Sequence, residues 1–193
     1  MDGDDSSLIS VITRDHRRLG DLLVRLTARG PARDGLVDEM TAEVMRHVVA
    51  EELYLYPLVR EVVPEWVVGS AEHADIDARM ERLLADLSVT RPDSPAFDAL
   101  ITRLVVVTRQ AILHEELEVF PRLARHADRR LLTDLGTMFR AFSDAAVVER
   151  TCDAGRVIRF HGLVLHRWEP GLPICAAPHV SPRDVTPHLS LPA

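Results

Sequence analysis

Two stretches decide the reading of this chain: His47-Val48-Val49-Ala50-Glu51-Glu52-Leu53-Tyr54-Leu55-Tyr56-Pro57 and Ala111-Ile112-Leu113-His114-Glu115-Glu116-Leu117-Glu118-Val119-Phe120-Pro121. In both, Glu-Glu-Leu is followed by a variable residue, an aliphatic one, an aromatic one and proline. The second copy lies 64 residues after the first, and the same offset pairs Val37 with Ile101, Val48 with Ile112 and Val59 with Leu123. A duplicated helix-plus-helix unit is the simplest source of a four-helix bundle with a pseudo-twofold centre. His47 precedes Glu51 by four residues, His114 precedes Glu118 likewise, and His73 has Asp77 in the same relation. Residues four apart share one face of an α-helix. Each pair can therefore present a nitrogen and a carboxylate oxygen to one point, a donor mixture that suits iron, manganese or zinc.

Working outward, hydrophobic periodicity and caps predict a first helix over about Ser6–Ala28, closed by Gly30-Pro31, and a second over about Asp34–Val63. Pro57 inside the second predicts a kink. A third helix is expected over Val67–Leu87. The Pro92/Pro95 loop leads into a fourth over Pro95–His126, where Pro121 mirrors Pro57. A weaker helix over Arg129–Val148 is expected to pack outside. The expected fold is all-α: an antiparallel up-down-up-down four-helix bundle over residues 6–126, an accessory helix in 127–150, and an irregular tail over 151–193. That tail holds half of the chain's 12 prolines and four of its nine histidines.

Composition narrows the function classes. The net charge of −7 argues against non-specific nucleic-acid binding, which needs a basic stripe. No apolar run approaches the roughly 18 residues that a membrane span needs. The acidic start Met1-Asp2-Gly3-Asp4-Asp5 does not read as a signal peptide, and Cys152 and Cys175 form neither a disulfide framework nor a zinc ribbon. A cytoplasmic location is the expectation. There is no Glu-x-x-His of the ferritin-like di-iron proteins and no His-Glu-x-x-His zinc motif. Histidines at 16, 47, 73 and 114 fall on four successive helices. Buried without a metal, so many polar rings would need other partners. Glu52, Glu72 and Glu116 read as solvated or as groups that orient ligating rings. Tyr54, Tyr56 and Phe120 read as packing residues.

Asp15-His16, His47-x-x-x-Glu51-Glu52 with Leu-Tyr-Pro after it, Glu72-His73, and Glu115-Glu116 with Val-Phe-Pro after it resemble the haemerythrin family, in its HHE cation-binding branch. The resemblance covers roughly residues 6–125. It implies two non-haem irons, one being possible here, bridged by carboxylates. His16 and His47 would hold one iron, His73 would help hold the other, and Glu51 would bridge. Where oxygen-carrying members have a further histidine one turn after the third-helix one, this chain has Asp77, which points to the HHE branch.

The fourth helix admits two registers. The repeat aligns His47 with Ala111 and Glu51 with Glu115, which removes a histidine and leaves His114 as a shifted ligand. Spacing alone pairs His114 with Glu118. Positions 111 and 114 differ by about 60° around a helix, as do 115 and 118. The metal-ligand candidates are thus His16, His47, Glu51, His73, Asp77, His114, Glu115 and Glu118, with an asymmetric second site as one consequence. The function the resemblance implies is binding of, or reaction with, O2, peroxide or nitric oxide at iron. Iron–sulfur repair is disfavoured by a bundle that starts near residue 6. The alternatives are an iron- or oxygen-sensing module without catalysis, or a bundle with a decayed site.

Overall fold

The structure, a computed structural model, describes residues 6–28, 30, 33–63, 67–150, 156–160 and 163–168; for residues 34, 67–74 and 150 and the last two strands it describes the backbone alone. Helix α1 spans Leu8–Thr27. Ser7 opens it by accepting the Ser10 N–H at 3.2 Å, which satisfies one of the donors a helix start leaves bare. Its buried stripe runs Leu8, Val11, Ile12, His16, Leu19, Leu22, Leu23 and Leu26, so the sequence sets one imidazole within an apolar face.

The second rod is continuous and consists of α2 (Arg33–Ala50), a five-residue π turn (Glu51–Leu55) and α3 (Tyr56–Val62). Helix α4 (Val67–Val89) is the third rod. The fourth repeats the composite build: α5 (Pro95–His114), a π turn (Glu115–Val119) and α6 (Phe120–His126). Ser94 caps α5, with Pro95 at its first position, where a missing N–H costs nothing. Around the bundle α1 packs on α2 and α5, and α4 packs on the same two helices. One buried cation ties the bundle's end. Arg33 pairs with Asp98 at 2.7 Å, donates to the carbonyls of Leu26 and Pro92, and lies 4.9 Å from the centre of the Phe97 ring.

Helix α7 (Arg129–Ala145), capped by Asp128, is the expected extra helix. Its buried residues Leu132, Gly136, Phe139 and Phe142 form one stripe that packs on α1, on α2 and on the first π turn. Beyond it the expectation of an irregular tail needs correction. Strands β1 (Val147–Arg150), β2 (Arg156–Phe160) and β3 (Leu163–Trp168) form an antiparallel meander, with Val148 opposite Ile158 and Ile158 opposite His166. Pairing joins short apolar runs that look isolated along the sequence, and it begins inside the segment assigned to the accessory helix. Residues 169–193 lie outside the described residues. Among the described residues no helix is long and apolar enough to cross a membrane.

Gly136 shows how closely α7 meets the start of α1. A Cβ there would stand 2.1 Å from the Ser6 carbonyl oxygen and 2.6 Å from the Leu8 nitrogen, both backbone atoms that cannot rotate away. Glycine to alanine inside a helix normally gains about 1 kcal/mol. Here the sign should reverse: Gly136→Ala should lower the unfolding free energy by about 1–3 kcal/mol, the cost typical of overpacking. A denaturant melt reads the change directly, and a stabilised variant would contradict the contact.

Candidate metal centre

Each composite rod owes its π turn to its proline. Pro57 has no N–H to donate, and its ring crowds the carbonyl four residues back, as does the ring of Pro121. One turn ahead of each, the helix widens by one residue: the Tyr56 N–H bonds the Glu51 carbonyl, and the Phe120 N–H bonds the Glu115 carbonyl. The last π residues, Leu55 (φ −83°, ψ −58°) and Val119 (φ −79°, ψ −55°), adopt nearly the same conformation. The kink expected at Pro57 is therefore a π turn that begins at the carboxylate residue itself. Such turns are frequent at functional sites, because the extra residue re-aims the side chains around it.

Glu51 and Glu115, the first residues of the two π turns, face each other with exposures of 1% and 2%. His16 from α1 and His47 from α2 complete a buried cluster. One ligand atom from each of the four residues lies within 4.8 Å of every other. His16 Nε2 is 3.0 Å from Glu115 Oε2, and its Nδ1 is 2.9 Å from Glu116 Oε1. Tyr56 donates its hydroxyl to Glu115 Oε1 at 3.1 Å. His47 Nε2 stands 3.1 Å from Glu51 Oε1 without hydrogen-bond geometry, and both Glu51 Oε1 and His47 Nδ1 are buried with no hydrogen-bond partner among the described residues. The cavity around the cluster is also lined by Asp77, Thr108, Leu19, Val48, Met80, Ala111 and Ile112.

The electrostatics are those of a site short of positive charge. Burial, then the charges of Glu115 and Asp77, push the Glu51 carboxyl well above the usual carboxylate range. Asp77 is raised for the same reasons, by burial and then by Glu115 and Glu81. For His16, burial is the strongest influence and disfavours the charged ring. Hydrogen bonds and charges from Glu115 and Glu116 outweigh it and raise the pKa. Burial, then the charge of Glu51, holds the Tyr56 hydroxyl protonated far up the pH scale, which keeps it a donor. Two imidazoles, two adjoining carboxylates and two unpartnered buried polar atoms fit a cation of the nitrogen/oxygen class.

Of the residues singled out from sequence, His16, His47, Glu51 and Glu115 come together, and Asp77 lies on the same cavity wall. Ala111 does so too, at the place the repeat pairs with His47. Glu118 does not: it is 52% exposed and pairs with Arg122 at 2.8 Å. His114 is half-buried and does not line the cavity. The side chain of His73 lies outside the described residues. Tyr56, read as packing, is a hydrogen-bond donor to the cluster, and Glu116 is the group that orients His16. No spacing rule identifies Tyr56, because the π turn that aims it is itself set by Pro57.

The family model for the Hemerythrin HHE cation binding domain matches residues 7–123. The chain belongs to this haemerythrin family. No curated protein and no solved structure matches it. The match ends before α7, so the helix that packs behind the first π turn lies outside the matched residues.

A buried carboxylate pair is costly while it has no cation. Glu51→Gln keeps the shape and removes the ionisable group whose charged form burial and Glu115 oppose. The metal-free variant should therefore melt a few degrees above the metal-free parent at neutral pH, about 2–4 °C for each 1 kcal/mol relieved in a domain of this size. Calorimetry on both metal-free proteins decides it; an equal or lower melting temperature would contradict the electrostatic reading.

Proposed function

We propose that this haemerythrin-family protein is a non-haem iron protein that binds or reacts with O2, peroxide or nitric oxide. The carrying observation is the convergence of two imidazoles and two carboxylates in one buried cavity, with polar atoms left unpartnered. His16, His47, Glu51 and Glu115 would hold the cation, with Asp77 the further oxygen donor at hand. Bound iron would supply electrons and Lewis acidity toward a small diatomic molecule or peroxide.

The chain's own residues do the rest. Glu116 takes the outer nitrogen of His16 and leaves the inner one directed at the cluster, the usual way a ligating histidine is oriented. Tyr56 steadies one Glu115 oxygen and places a phenolic proton beside the cavity. Leu19, Val48, Met80 and Ile112 keep the walls apolar, and the small side chain of Ala111 leaves room where the repeat would have a second imidazole. That room supports an asymmetric centre, with one subsite richer in nitrogen than the other.

Iron measured on the purified protein should come to one or two per chain. His47→Ala should lose at least one, and undiminished iron there would sink the assignment. Glu115→Ala should lower iron content whereas Glu118→Ala leaves it unchanged; the opposite result would restore the spacing register. Ala111→His should raise occupancy toward two if the repeat register holds. Iron uptake without peroxide turnover or gas binding, but with a large gain in protease resistance, would favour a sensing module over reaction chemistry.

A further inference from the structure

The two imidazoles of the cluster are held differently. His16 has its outer nitrogen on Glu116 at 2.9 Å. His47 has no such bond among the described residues: Nδ1 is buried without a hydrogen-bond partner there, and Asp15 Oδ2 forms only an ion pair with it at 3.9 Å. Aromatic edges flank it instead. The His16 ring meets it at 5.2 Å and 71°, and the Phe139 ring meets it at 6.4 Å and 74°. Phe139 is fully buried and also contacts Tyr54 of the first π turn, whose centroid is 6.4 Å away. It belongs to α7, beyond the matched residues 7–123, and α7 is seated by the backbone contact at Gly136 one turn earlier.

We propose that Phe139 is a positioning residue for the metal centre: its ring holds the His47 imidazole where an outer hydrogen bond would otherwise do so, and thereby sets how firmly the cation is retained. The inference rests on the metal reading of the cluster. Ring packing restrains tilt but, unlike a carboxylate, adds no basicity to the nitrogen. His47 is on this account the ligand that lets go first, and α7 is the element that governs release. Phe142 provides the internal control. It stands one turn further along the same buried stripe and contacts Tyr54 at 6.3 Å, so its loss opens a similar hole behind the π turn.

The experiment loads the full chain with iron(II) and follows its transfer to an excess of chelator. Phe139→Ala should release iron about tenfold faster than the parent, the scale seen when an outer partner of a ligating histidine is removed. Phe142→Ala, matched for loss of metal-free stability, should stay within about twofold of the parent. The visible spectrum of the cobalt(II)-loaded protein should shift for Phe139→Ala alone. Phe139→Leu, which keeps bulk without the aromatic edge, should fall between and carries the test if the alanine variant does not fold. Equal release from Phe139→Ala and Phe142→Ala, or an unchanged rate in the former, overturns the positioning role. A parent chain that takes up neither iron nor cobalt overturns the metal reading itself, so the two failures are distinguishable.

Discussion

Everything in this bundle is arranged around two carboxylates that stand together away from water. Glu51 and Glu115 adjoin in a pocket that also holds Asp77, and each raises the cost of ionising its neighbour. An isolated buried charge costs several kcal/mol even after relaxation. A fold keeps such a pair only where something positive compensates it. The protein offers partial compensation through His16 and the Tyr56 hydroxyl, but both bond Glu115. Glu51 is left with an oxygen that has no hydrogen-bond partner among the described residues. That imbalance makes a cation the natural complement of the cavity, and it explains why the apolar stripe of α1 is interrupted at His16 and nowhere else among its buried residues.

The distortion that begins at each carboxylate is covalent in origin. Pro57 and Pro121 each remove one backbone donor, and the helix answers with a π turn whose first residue is a glutamate. The extra residue in each turn advances the side chains ahead of it relative to an α-helix. The same adjustment that accommodates proline thus re-aims the residues after Glu51 and Glu115, among them Tyr56, whose hydroxyl reaches Glu115. Because the repeat carries proline at the same distance from glutamate in both rods, the two turns match in conformation as well as in position.

This also explains what was legible in the sequence. Bundle topology, the extra helix, and the roles of His16, His47 and Glu51 as candidate ligands follow from periodicity and from the repeat, which depend only on regular α geometry up to residue 50. The fourth rod is harder to read. A four-residue spacing from His114 to Glu118 counts along the π turn Glu115–Val119, where the α-helical rule for shared faces no longer applies. The repeat register carries the distortion in both copies and so points to Glu115 without needing the angle. Tyr56 was illegible for the same reason. The meander was missed on different grounds: Val147-Val148, Val157-Ile158 and Leu163-Val164-Leu165 are each too short to show a period, and their strand character emerges only from pairing across the sheet.

The asymmetry between His16 and His47 follows from where each sits in the rods. His16 lies on α1 opposite the second π turn, so the paired glutamates at 115 and 116 reach both of its nitrogens at once. His47 lies one turn before the first π turn on the same rod as its carboxylate. Glu52, the residue equivalent to Glu116, therefore belongs to the same rod as His47, and its charge bears on Asp77. Among the described residues no hydrogen bond reaches His47 Nδ1, and Asp15 of α1 comes no nearer than an ion pair at 3.9 Å. An added helix that brings phenylalanine rather than a carboxylate fills the space without adding to a pocket already crowded with negative charge. In that setting a ring is the better neighbour: a further buried anion beside Glu51, Glu115 and Asp77 would raise the very cost that the cation must offset.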